Sequence, residues 1–183
     1  MNPPPSLPAS RSTFVTVMAY LSLALGALGV VTGGLQAVML ASVAPGELMQ
    51  GQFAALGLAL PPAMSQVFDH LGLLNLASLL FSAIFTAASW GLLQRREWGR
   101  LGFIACLVLG AVAGLAMLWW MMQLMAWMNA MAGTDLAAAD PVFAGLQSAM
   151  KVMLGISAAL VAALHAWIIW KLCTPAIRAE FRH

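Results

Sequence analysis

Few side chains in this sequence are able to do chemistry, and His165 is the best placed of them. It is the sole ionisable residue well inside a long apolar stretch, about 9 Å of helix rise from Lys171. Ala158 and Ala162 precede it at helical spacing, which puts it on a face of small side chains suited to meet a neighbouring helix. At similar depth in the other apolar stretches come Tyr20, Thr86, Ser89 and Cys106. An imidazole with no partner in an apolar medium is costly, so the expected arrangement is a polar cluster in which His165 bonds Tyr20 or a hydroxyl of the second stretch. Such a residue serves first as interhelical glue. A proton relay or ligand contact is the alternative, because ionisable residues inside a membrane are functional candidates by default.

A second candidate is the methionine run. Met117, Met121, Met125 and Met128 fall on one helical face, amid Met122 and Met131. Thioethers are soft ligands that suit Cu(I). No Cys or His accompanies the stripe, and methionine is also an ordinary filler of apolar gaps, so packing is the expected role and copper the alternative. Asp69-His70 precedes the second apolar stretch, where Asp69 is expected to cap a helix and complement its dipole. Other enzyme signatures are missing from the sequence: no Gly-rich phosphate loop, G-x-S-x-G, C-x-x-C or H-E-x-x-H occurs. The long stretches carry no paired carboxylates for ion coupling and no paired His for a haem. No cofactor is expected.

The elements that would position these residues follow from composition. Of 183 residues, 62% are hydrophobic and only 8% charged, with a mean hydropathy of +0.91. Soluble domains carry about 25% charge, so the chain reads as an all-α integral membrane protein. Nucleic-acid binding is excluded for want of a basic patch. Charge-free stretches run over Ser12–Gly46, His70–Gln94, Leu101–Thr134 and Val152–Trp170. Each reaches or approaches the roughly 20 residues that span a hydrocarbon core. They predict spans near 13–41, 71–93, 101–131 and 149–172, flanked by a Pro-rich cytoplasmic tail over 1–12 and a second tail over 173–183. The apolar run after the Pro-rich tail is too long for the core of a signal peptide. Met49, Phe53, Leu56 and Leu60 recur at helical spacing opposite Glu47, Gln50 and Gln52. They predict one amphipathic helix over Glu47–Leu60 lying in the external interface.

With four spans, Arg11, Arg95, Arg96, Arg100, Lys171, Arg178 and Arg182 fall on one side and Lys151 alone on the other. The positive-inside rule makes both termini cytoplasmic. Helices in lipid associate through small residues. Ser22, Gly26, Gly29 and Gly33 form such a face on the first span, Gly102, Cys106 and Gly110 on the third, and Ala158 and Ala162 on the fourth. The expected fold is a four-helix antiparallel bundle. Between the second and third spans, Arg95, Arg96, Trp98 and Arg100 are expected to anchor the turn at the membrane surface among lipid headgroups.

The segment Trp90-Gly91-Leu92-Leu93-Gln94-Arg95-Arg96-Glu97-Trp98-Gly99-Arg100 resembles the GLL-x-R-R-x-W-[AG]-R hairpin of a poorly characterised family of small bacterial four-helix inner-membrane proteins. The tail Lys171-Leu172-Cys173-Thr174-Pro175-Ala176-Ile177-Arg178-Ala179-Glu180-Phe181 is similar to the KL-x-S-x-x-[VI]-[RK]-x-E-F endings of the same proteins, with Thr174 at the usual serine. The resemblance covers these two motifs and the spacing of four spans. It implies a bacterial inner-membrane location and no settled activity. The expected function is that of a non-enzymatic accessory or scaffold protein. Its partners would be membrane lipids and either a second copy or a membrane complex. The alternative is a small-molecule or copper permease, or a subunit of one.

Overall fold

A computed structural model describes residues 12–42, 45–55, 57, 62–131 and 141–181. Among them the chain is helical and has no strand. In chain order the elements are α1 (Thr13–Ser42), α2 (Pro45–Ala55), α3 (Pro62–Asp69), α4 (Leu71–Leu93), α5 (Glu97–Met131), α6 (Pro141–Leu172) and α7 (Pro175–Arg178), followed by a 3-10 turn, Ala179–Phe181. Four of these, α1, α4, α5 and α6, are long and apolar enough to cross a membrane. At 11 and 8 residues, α2 and α3 are not. Large apolar side chains lie open along the outer faces, Leu21, Leu25, Leu28 and Leu35 among them. Water does not tolerate such a surface on a monomer.

The helix limits have local causes. Glu97 opens α5 four residues ahead of the expected start, its carboxylate in the first turn complementing the helix dipole. Pro141 opens α6 eight residues early, at a position where its missing N–H is no loss. The single interfacial helix expected over Glu47–Leu60 is corrected. It ends at Ala55, and Gly57 follows in the left-handed region at φ 70°, donating its N–H to the Ala54 carbonyl at 3.0 Å. Leu56 and Leu60 lie outside the described residues, and a separate helix, α3, starts at Pro62. Asp69 is not the cap of α4 either: it closes α3, and His70 stands at the N-cap of α4 with no side-chain cap bond. Residues 1–11 and 132–140, which include the Pro-rich segment and Asp135, lie outside the described residues.

Backbone contacts divide the chain into two units, Met1–Phe103 with Glu180–His183, and Ile104–Ala179. In the first unit, α1 and α4 pack antiparallel along their length. Val15, Ala19, Ser22, Gly26 and Gly33 are buried along one side of α1. Their spacing forms a groove into which α4 settles. A methyl group at Gly29 would lie 2.7 Å from the Ser82 hydroxyl, and one at Gly33 would lie 3.2 Å from a Leu79 methyl. At Gly26 it would meet Thr86, whose backbone N and Cα would both be 3.2 Å away. Asn75 of α4 is buried and donates from Nδ2 to the Gly33 carbonyl at 3.2 Å. Further along, Gly102 comes near Ala88, and the Phe85 and Phe103 rings stack with centroids 5.4 Å apart.

This contact has a direct test. Gly26→Leu drives a side chain into the Thr86 hydroxyl and backbone and should cost at least about 2 kcal/mol, the range of overpacking in a tight core. Gly34→Leu enters open space and should change stability by less than about 0.5 kcal/mol. Thermal unfolding in detergent, followed by circular dichroism, compares the two. Equal losses would mean that the stripe is not a contact.

Candidate functional site

The most elaborate polar arrangement lies where α4 turns into α5. The helix ends in a Schellman motif: the Arg95 N–H reaches the Leu92 carbonyl at 3.1 Å, and the Arg96 N–H reaches the Gly91 carbonyl at 3.0 Å. That motif needs a left-handed residue after the cap, normally glycine, and here Arg95 occupies it at φ 60°. A side chain in that region costs roughly 1–2 kcal/mol. Gly91 and Gly99 make the sharp turn feasible, since a methyl on Gly91 would lie 2.8 Å from the Gly99 Cα.

The Arg95 guanidinium explains why the strain persists. It donates from Nη2 to the Ser12 carbonyl at 3.0 Å and to the Thr16 hydroxyl at 2.9 Å, both at the start of α1. Its Nη1 lies 3.1 Å from Glu180 Oε2, with both side chains mostly buried. The Glu180 carboxylate in turn accepts the Ser12 N–H at 3.2 Å, so a residue of the C-terminal segment caps the first helix. Phe181 is buried, with Arg95 Cζ 6.0 Å from its ring centroid. Three segments distant in sequence are thus clasped at one end of the helices. Beside them, Arg100 is buried and makes a bidentate pair with Glu97, its Nε donating to Oε2 at 3.0 Å.

This geometry divides the four residues of the expected surface anchor. Arg95 and Arg100 turn inward to carboxylates, and only Arg96 and Trp98 stay exposed. The physical reason is that a guanidinium offers five donors, and nearby carboxylates and carbonyls satisfy them without any headgroup. His165 has a partner on its own helix. The His165 Nδ1–H donates to the Val161 carbonyl at 2.8 Å, four residues back on its own helix. Thr86 and Ser89 do the same, donating at 2.7 Å to the Ser82 and Phe85 carbonyls. Back-bonding of this kind relieves a polar group without a neighbour. Tyr20 is 59% exposed, and Cys106 is buried.

In the second unit, α5 and α6 flank an open groove of about 250 Å³. Gly110 and Gly114 line one wall, and Ser157, Ala158 and Ala162 the other. Met117 and Met121 reach into the same groove, Met125 is buried, and the Met128 side chain lies outside the described residues. Asn75 is the polar residue that sequence reasoning passed over. One turn into α4, it reads as an interfacial residue, and only the small stripe facing it could have signalled burial.

Among the described residues the chain is helical, four of its helices are fit to cross a membrane, and an ion pair joins the α4–α5 turn to the C-terminal segment. No protein-family model matches it, and neither a curated protein nor a solved structure does.

Arg95→Ala should lower stability by about 2 kcal/mol, because it leaves a largely buried carboxylate without its partner. It should also release the C-terminal segment to trypsin at Arg178. Arg95→Gly should expose that segment equally yet cost about 1 kcal/mol less, because glycine removes the left-handed strain. Limited digestion and thermal unfolding read the two effects separately. A tail that stays protected in both variants would refute the clasp.

Proposed function

We propose that the chain is a multi-pass protein of a bacterial inner membrane, acting as a non-enzymatic accessory or scaffold that binds a further transmembrane helix. In this reading α1, α4, α5 and α6 form an antiparallel bundle, with α2 and α3 resting at the external interface. One feature supports the orientation and another the number of crossings. Arg11, Arg95, Arg96, Arg100, Lys171, Arg178 and Arg182 oppose Lys151 in the positive-inside count. Ser12 and Glu180 also meet at one end of the helices, as an even number of crossings requires.

The scaffold reading is carried by the groove between α5 and α6. Gly110 and Gly114 form a Gly-x-x-x-Gly step, and Ala158 and Ala162 face it across unfilled space. Small residues at that spacing let helix backbones approach closely, which is how helices associate where the hydrophobic effect gives no preference. A helix from a partner or a second copy would find both walls prepared.

Gly114 has nothing within 4 Å of an added methyl, so Gly114→Leu should leave the melting temperature unchanged while blocking the groove. Tagged full-length protein, purified in mild detergent, should bring down a stoichiometric membrane partner or itself. The Gly114→Leu variant should lose at least about tenfold of that yield, as expected for a disrupted packed contact. Undiminished recovery would overturn the scaffold reading.

Orientation is tested separately. Reporter fusions after Ala54 should read periplasmic and after His183 cytoplasmic. A cytoplasmic reading at Ala54 would overturn the topology.

A further inference from the structure

A second cavity, in the first unit, differs in chemistry from the groove. It lies between the C-terminal turns of α1 and the start of α4, with a volume of about 370 Å³, and its walls include Ala37, Leu40, Gly72 and Leu76. Pockets for small ligands begin at roughly 300 Å³ and combine an apolar lining with a few fixed polar groups. Here the single polar side chain in the lining is Asn75, only 7% exposed. A primary amide has two N–H donors and two acceptor lone pairs. One donor goes to the Gly33 carbonyl at 3.2 Å, which fixes the amide's orientation. That leaves one donor and the Oδ1 acceptor for whatever enters, and a buried amide so placed favours an occupant that answers both.

We propose that this cavity binds an aliphatic molecule bearing a hydroxyl, its chain along the α1–α4 wall and its head at Asn75. A hydroxyl both donates and accepts, matching the two free capacities of the amide, whereas an ether or a plain hydrocarbon does not. Asn75 stands four residues after Leu71, about 6 Å along the helix from its start. On the reading that α1 and α4 lie in a bilayer, on which this site rests, that is the depth of a lipid's glycerol region. A free long-chain alcohol and the free hydroxyl of a diacylglycerol present the same head group.

The experiment uses full-length protein in phosphatidylcholine vesicles and two photoactivatable probes with one dodecyl chain, an alcohol and its methyl ether. Flotation with the vesicles is scored first: protein that does not float overturns the membrane reading and the site with it. In floating protein, the alcohol should label segments 37–41 and 72–79 about fivefold more than the ether, the discrimination one net hydrogen bond supplies. Unlabelled dodecanol should compete. Competition by diacylglycerol as well would assign the site to the lipid's hydroxyl, and competition by dodecanol alone to a single-chain alcohol. Asn75→Leu should abolish the preference. Because that change also removes the bond to Gly33, Ala37→Leu is the second variant, filling the cavity with Asn75 left in place. It should lose labelling while melting like the wild type. Equal labelling by alcohol and ether, or labelling retained in Ala37→Leu, would overturn the site.

Discussion

A guanidinium cannot shed its charge, and bringing Arg95 under cover obliges the protein to surround it with acceptors. The first turn of α1, the turn between α4 and α5 and the segment after α7 are all held by that obligation. The Ser12 carbonyl and Thr16 hydroxyl take two of its donors, and Glu180 neutralises it while also serving the Ser12 N–H. The left-handed backbone at Arg95 is the local expense of aiming the side chain inward. Without the ion pair that conformation would have little to hold it there.

Away from that end, the first unit is organised by what is missing from side chains rather than by what they add. Gly26, Gly29 and Gly33 leave α1 bare along one side, and α4 approaches until Thr86, Ser82 and Leu79 fill the space. At such separations the attraction is dispersion, gained atom by atom and lost when one methyl intrudes. The Thr86 and Ser89 hydroxyls bond to their own helix, and Asn75 bonds across the seam to the Gly33 carbonyl.

These two organising features were unequally legible in the sequence. The stripe from Ser22 to Gly33 can be read directly, because a helical repeat of small residues has one geometric meaning. The long helices were equally plain, since gaps between charges set their extents, with errors only where Glu97 and Pro141 begin helices ahead of the apolar run. The break after Ala55 was encoded by Gly57 and the Pro61-Pro62 pair, but the apolar repeat through Leu60 masked it. The clasp was not legible. Charged residues in a turn look alike whether they face a membrane surface or each other, and Glu180 is 168 positions from Ser12. For His165 too, the sequence does not say that the preceding turn's carbonyl will be a partner.

The clasp also has an order in time. Synthesis supplies Ser12 before Arg95 and Arg95 before Glu180, so α1 and α4 can join along their small stripe while the carboxylate is still to be made. Until then the Arg95 charge has to be satisfied from outside, by water or by anionic groups at the end of the growing helices. Docking of the Ala179–Phe181 turn displaces those temporary partners and brings Phe181 against the guanidinium. Closure of the clasp therefore separates a chain that has reached Phe181 from one that has not. A chain without Glu180 and Phe181 keeps the small-residue seam of α1 and α4 but leaves the Arg95 charge without its carboxylate.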